Sequence, residues 1–329
     1  MSNEAPVQNE TLFENPFHIE DLMVFDDDTL RAMLAQGGFG LTVEVLAHSL
    51  RGVEKPLLKR IKCNLSPQQR SLFMQELRRP LAKSEVEYAR RQVLDGLFWE
   101  LTYWKTPELY EELTEGERLH PGIFQRLALD LHGRTVLDVG AGSGRASLES
   151  IRHGARLVYA VEPSPGLLRI MEQKLGHLAG KQQVIPLAGR FDAIPLQDNS
   201  VDIALSCSAF TAAPEQGGEP GLAEMLRVTR PGGKIVLIWP RREDHAWLRA
   251  HGFRYIALPL KQEMQVRFRS LQSALQCARR FYAQNKAVAR YILAKQKPEI
   301  PFSVIGVNPP CDYCWLEVKK SDNSSLSVL

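Results

Sequence analysis

Cysteine is scarce in this chain. Five thiols in 329 residues, an odd number, exclude a disulfide framework and make a reducing cytoplasm the expected compartment. No apolar run reaches the length of a membrane span. Net charge is also small: 41 Lys and Arg against 38 Asp and Glu leave +3, which gives no warrant for nucleic acid or a membrane surface as the main partner. Residues 1–16 lack both a basic residue and an apolar core, so they read as a loose polar tail and not as a secretion signal, and residues 321–329 read as a second tail. What is present, 44% hydrophobic and 24% charged residues, suits a soluble globular chain long enough for two domains.

From Phe17 to Phe98 the pattern is helical, with no strand alternation competing. "DDDTLRAMLAQ" opens with acids suited to a helix N-terminus, and Leu30, Met33 and Leu34 make one apolar face. Ser66 and Pro67 are placed to start a helix over "SPQQRSLFMQELRR", and Ser84 is the expected cap of the next one. The run "FHIEDLMVFDDDTLRAMLAQ…LAHSLRG…LLKRIKCNLSPQQRSLFMQELRRPLAKSEVEYARRQVLDGL" resembles the C-terminal part of the flagellar motor switch protein FliG in element order and spacing. That resemblance implies a helical docking module, and so a possible protein partner through residues 17–98. It does not imply a rotor subunit, because Asp28 stands where that family closes its "DDR" with arginine.

Residues 99–131 form an aromatic, helical bridge, broken near Gly116 and Pro121, that is expected to act as a lid. Beyond it, strands and helices alternate from "TVLDVG" to "FRYIALPL". A long amphipathic helix is expected over about 265–295, with Leu271, Leu275, Ala278, Tyr282, Val288 and Ile292 on one face, before a seventh strand in "CDYCWLEVKK". The expected fold class is α/β: a Rossmann-like, seven-stranded, doubly wound sheet over 132–320, preceded by an all-α domain.

The stretch "TVLDVGAGSGRASLESI" places Gly140, Gly142 and Gly144 between a strand and a helix. The dinucleotide fingerprint wants its third glycine where Arg145 stands. Glu162, at the end of the second strand, could accept from ribose hydroxyls of either a dinucleotide or S-adenosylmethionine, so the turn alone is weak evidence. Four blocks in order, "VLDVGAGSG", "VEPSPGLL", "FDAIPLQDNSVDIALS" and "EMLRVTRPGGKIVLI", resemble the motifs of class I S-adenosylmethionine-dependent methyltransferases. The resemblance implies S-adenosyl-L-methionine as cofactor and no resident metal. It places Asp138 at the methionine end, Gly140, Ala141, Gly142 and Gly144 in the close-approach turn, and Glu162 with Pro163 at the ribose. Ser206 is added at the end of the fourth strand, and Pro231, Gly232 and Gly233 become an architectural turn before the fifth.

One departure stands out. Where the family commonly shows an acid for the adenine amino group, this chain has Arg190, which cannot accept a hydrogen bond. Phe191 packing on the adenine face is the favoured substitute, with Asp192 a second candidate.

Methyl transfer is an in-line displacement in which the protein mainly aligns the nucleophile, so the absence of an evident catalytic residue is no objection. Cys207 and Phe210, after the fourth strand, and Tyr110 and His120, in the bridge, are candidates for the acceptor pocket; packing or capping is the plainer role for the last two. His245 and His251 are expected at the surface, and Cys311 with Cys314 lacks the second ligand pair a zinc site wants. The basic residues from Arg279 to Lys295 read as a solvated helix face. The expected activity is methyl transfer to a small organic acceptor. The alternatives are a protein acceptor docked by the FliG-like domain and a non-catalytic interaction protein.

Overall fold

The computed structural model describes residues 15–35, 41–176, 183–283 and 285–319. The expected tails lie almost entirely outside them. The chain divides into two compact units: Met1–Gly116 with Glu263–Asn308, and Glu117–Gln262 with Pro309–Leu329.

The first unit is mainly helical, and its helices begin where local side chains can pair the leading amides. Asp26 accepts from Thr29 N at 2.7 Å to start Asp27–Leu34, and Thr42 accepts from Val45 N at 3.2 Å to start Val43–Ser49. Ser66 and Gln69 cap each other reciprocally, with Pro67 in the first turn of Pro67–Arg78. The next helix, Lys83–Gly96, starts one residue before the expected cap Ser84: Glu85 reaches back to Ala82 N at 2.7 Å and so sets the entry instead. Phe25, Leu30, Leu46, Leu50, Ile61, Phe73, Val93 and Leu101 form the buried core of this unit. Asp28 is exposed and paired with Arg31 on its own helix.

The stretch expected as one helix over 265–295 is instead a strand, Gln265–Arg267, and two helices, Leu271–Phe281 and Lys286–Lys295. The break comes from Asn285. Its Oδ1 caps the second helix at Ala287 N, and its Nδ2 donates to Val304 O and Ile305 O at 3.0 and 2.7 Å. The strand pairs antiparallel with Glu299–Pro301.

The second unit carries the sheet. Its strands are β1 (Thr135–Val139), β2 (Leu157–Glu162), β3 (Val184–Ala188), β4 (Val201–Cys207), β5 (Thr229–Ile238), β6 (Arg254–Ala257) and β7 (Asp312–Glu317). Their order is β3-β2-β1-β4-β5-β7-β6. All pairs are parallel except those made by β7, which runs antiparallel to both β5 and β6. This is the α/β doubly wound sheet expected.

Side chains alternate between two cores, as the pleat requires. Val136, Val158, Ile203, Leu205 and Val236 pack with Ile123, Phe124, Leu127 and Met171. Leu137, Val139, Ala204, Ile235 and Leu237 pack with Leu222, Met225 and Leu248. β1 is buried along its whole length, as befits a parallel strand covered on both faces. Pro231, Gly232 and Gly233 lie inside β5 as an irregularity in register, which jumps from Val201↔Thr229 to Ile203↔Lys234. Only glycine fits at 233, since a Cβ there would lie 2.6 Å from Asp202 O.

Leu137 is fully buried at the centre of this sheet. Leu137→Ala is expected to cost about 2–5 kcal/mol of stability, measured by urea unfolding followed by far-ultraviolet circular dichroism.

Candidate functional site

Strand order reverses between β1 and β4, and a ligand of an open α/β sheet binds outside the carboxyl ends of the strands at such a switch point. The glycine turn follows β1 there. Gly140 N and Ala141 N both donate to Val161 O, at 2.9 and 3.1 Å, which folds the turn over the end of β2. Gly140, Gly142 and Gly144 all take left-handed φ, +69°, +57° and +89°. A Cβ on Gly140 would lie 2.6 Å from Ala209 Cβ and 2.9 Å from the Phe191 ring, so only glycine fits against these side chains.

Two buried carboxylates face this turn from beneath. Glu162 ends β2; its Oε2 accepts from Gly142 N and its Oε1 from Ser164 N, each at 2.9 Å. Burial raises its pKa to about 7 against the pull of those two amides, and the negative charge of Asp138 adds to the rise. Asp138, in β1, accepts from Ser147 Oγ at 2.6 Å through Oδ2, and burial raises its pKa to about 6. Its Oδ1 and the Ser206 Oγ in β4 are buried and find no partner among the described residues. Pro163, between Glu162 and Ser164, is exposed, and Ala141 is buried in the turn.

The segment after β3 gives the cleft an aromatic wall. Phe191 lies against Gly140 and meets Phe210 edge-on at 5.5 Å between ring centres. Phe210 is itself buried, also against Trp247 at 6.0 Å, so its role here is packing. Arg190 donates to both oxygens of Asp192 at 3.0 and 3.2 Å, so the Asp192 carboxylate is already engaged by its neighbour.

Cys207 ends β4 half-buried, with Arg145 Nη2 3.7 Å from its sulfur; burial raises the thiol pKa. Arg145 also donates to Glu117 O at 2.9 Å. Sequence reading saw Arg145 only as a missing glycine, and no local pattern signals its reach to Cys207. His120 Nδ1 accepts from Gly122 N at 3.1 Å at the start of the Gly122–Leu131 helix, the capping role. Tyr110 belongs to the helical unit, packed edge-on against Tyr103 at 4.7 Å.

The expectation that His245 and His251 are surface residues does not hold. Both are half-buried: His251 bridges Trp247 O and Glu219, and His245 Nε2 is fully enclosed, because the short His245–Ala250 helix packs onto the sheet through Leu248. Cys314 is buried in β7, while Cys311 lies outside the strand. Among the described residues no group of three or more His, Cys, Asp or Glu side chains is placed to hold a metal ion.

Glu162 holds its proton to about pH 7 in the folded chain, against an ordinary value of 4.5. Between those values the folded state binds more protons than the unfolded chain, so stability falls as pH rises through the window. Glu162→Gln is expected to flatten that fall, leaving the smaller slope that Asp138 contributes below about pH 6. Urea midpoints of both proteins at about pH 5 and about pH 7 check this; equal slopes would contradict it.

Residues 136–233, from β1 to the start of β5, match the family model described as a methyltransferase domain. An uncharacterized methyltransferase of Mycobacterium bovis is 36% identical over 120 residues, covering 36% of this chain and 45% of that protein. Another, from Mycobacteroides abscessus, is 43% identical over 110 residues, covering 32% of this chain and 40% of its own length. The match thus spans less than half of these curated relatives. Among solved structures, the YcgJ protein of Bacillus subtilis covers 61% of this chain and 100% of its own, with 13% identity and a TM-score of 0.42. The segment that carries the glycine turn, Glu162 and Cys207 is the one that matches the methyltransferase-domain model.

Proposed function

We propose that the chain is a methyltransferase that uses S-adenosyl-L-methionine to methylate a small organic acceptor by in-line displacement. The observation that carries this reading is the left-handed glycine turn at the switch point, closed over the buried Glu162 carboxylate. The residues fit the cofactor. Asp138 Oδ1 and Ser206 Oγ are buried polar atoms still to be satisfied, and Glu162 keeps lone pairs beyond those its two amides use. When bound, the cofactor supplies an electrophilic methyl group on a sulfonium.

The chain's part is to bind and align. Glu162 accepts from the vicinal ribose hydroxyls, Asp138 orders the methionine end, and Phe191 packs on the adenine face in place of the acid that Arg190 displaces. Cys207, at the end of β4, faces the acceptor, with Arg145 fixing that edge through its contact to the sulfur. Five free thiols support a reducing cytoplasm as the compartment. No described helix is long and apolar enough to cross a membrane.

A protein acceptor is the second reading. It is favoured by the FliG resemblance of residues 17–98, which suits a docking module for the target.

Calorimetric titration with S-adenosylmethionine and, separately, NADH tests the proposal. S-adenosylmethionine is expected to bind with micromolar affinity and NADH not at all. Glu162→Ala is expected to weaken binding at least about tenfold, the weight of one hydrogen bond to a charged group. Binding of NADH alone would overturn the reading.

A further inference from the structure

A second set of polar side chains at the carboxyl edge of the sheet has no part in holding the cofactor. Asp312 opens β7 at 4% exposure, and its Oδ2 accepts from the Tyr255 hydroxyl at 2.8 Å. Its Oδ1 is buried and has no partner among the described residues. The His245 ring centre lies 4.8 Å from that of Tyr255, and His245 Nε2 is likewise buried and unpartnered. Asp244, 8% exposed, accepts from Ala212 N at 3.2 Å through Oδ1, which ties this corner to the loop after β4, and its Oδ2 is a third unpartnered atom.

The ends of β4, β5 and β7 stand side by side here. Ser208 N donates to Ile238 O and Trp239 N to Asp312 O, both at 2.9 Å. Ser208 and Trp239 hold left-handed φ of +61° and +55°, a strained conformation for residues with side chains and one that gathers at functional sites. Buried polar atoms are nearly always paired, so the open Asp312 Oδ1 calls for a donor.

We propose that this corner holds a protonated amine of the methyl acceptor, donating N–H to Asp312 Oδ1. The proposal rests on the methyltransferase reading and narrows its acceptor to amine-bearing small molecules. An ionised carboxylate can only accept. An ammonium brings three donors and the opposite charge, whereas a hydroxyl brings one donor and none. Desolvation raises the Asp312 pKa, a cost that a bound cation would offset and that the Tyr255 hydroxyl, then His245 and Arg242, oppose only in part. A protonated amine has no lone pair, so it anchors the molecule and a different atom takes the methyl group. Two strand spacings separate β4 from β7, about 10 Å, which sets the reach from ammonium to nucleophile.

The test is calorimetric titration of the full chain, loaded with S-adenosylhomocysteine, with two matched pairs: tyramine against 4-ethylphenol, and hexylamine against hexanol. Each amine is expected to bind at least about tenfold more tightly than its neutral counterpart, the span of one charge-assisted contact. Asp312→Asn is expected to abolish that preference while S-adenosylmethionine affinity stays unchanged, which also reports that the variant is folded. Tyr255→Phe, which leaves the carboxylate in place, is expected to keep it. Equal binding of amine and neutral partner, or a preference that survives Asp312→Asn, overturns the inference alone. No S-adenosylmethionine binding by the unaltered chain overturns the methyltransferase reading and this inference with it.

Discussion

The Glu162 carboxylate, enclosed where β2 ends, accepts from the amides of Gly142 and Ser164, and the carboxyl edge of the sheet is built around it. A carboxyl group out of water keeps its proton to higher pH, and the donors that offset part of that rise here are backbone amides. Supplying them bends the chain after β1 into left-handed conformations that only glycine adopts freely, at 140, 142 and 144. That bend brings Gly140 against Phe191, and Phe191 in turn rests on Phe210, so the position of the aromatic wall follows from one buried acid.

Much of this was legible in the sequence because it is local. The turn needs glycines at fixed offsets, strands buried on both faces read as apolar runs, and the Ser66–Gln69 caps sit three residues apart. What escaped sequence reading depends on partners far along the chain. The apolar phase runs on through 282–285, so nothing nearby announces that Asn285 breaks the helix; its reason lies in carbonyls of Val304 and Ile305. The reach of Arg145 to Cys207 joins the helix after β1 to the end of β4, and the enclosure of His245 depends on β6 and β7. Ser84 was passed over by one residue because Glu85 offered the carboxylate.

Arg190 shows how one substitution is absorbed. In place of an acid it introduces a guanidinium, and Asp192 answers it with both oxygens. The segment stays balanced in charge, and both Asp192 oxygens are engaged within it. On the proposed reading, packing on the Phe191 face is less directional than a hydrogen bond to a carboxylate, since stacking tolerates rotation that a hydrogen bond does not.

The second unit is assembled from two separated pieces of chain, and β7 belongs to the later piece. Because β7 pairs with β5 on one side and the edge strand β6 on the other, the sheet has a gap between β5 and β6 until residues 312–317 arrive. During synthesis the ribosome must deliver the whole stretch from Glu263 to Asn308 before that gap can fill. In the meantime the unpaired side of β5 presents a row of open amides and carbonyls, a template to which another nascent chain can add a strand. The order of translation therefore leaves one side of β5 open until β7 is made, however stable the finished sheet is.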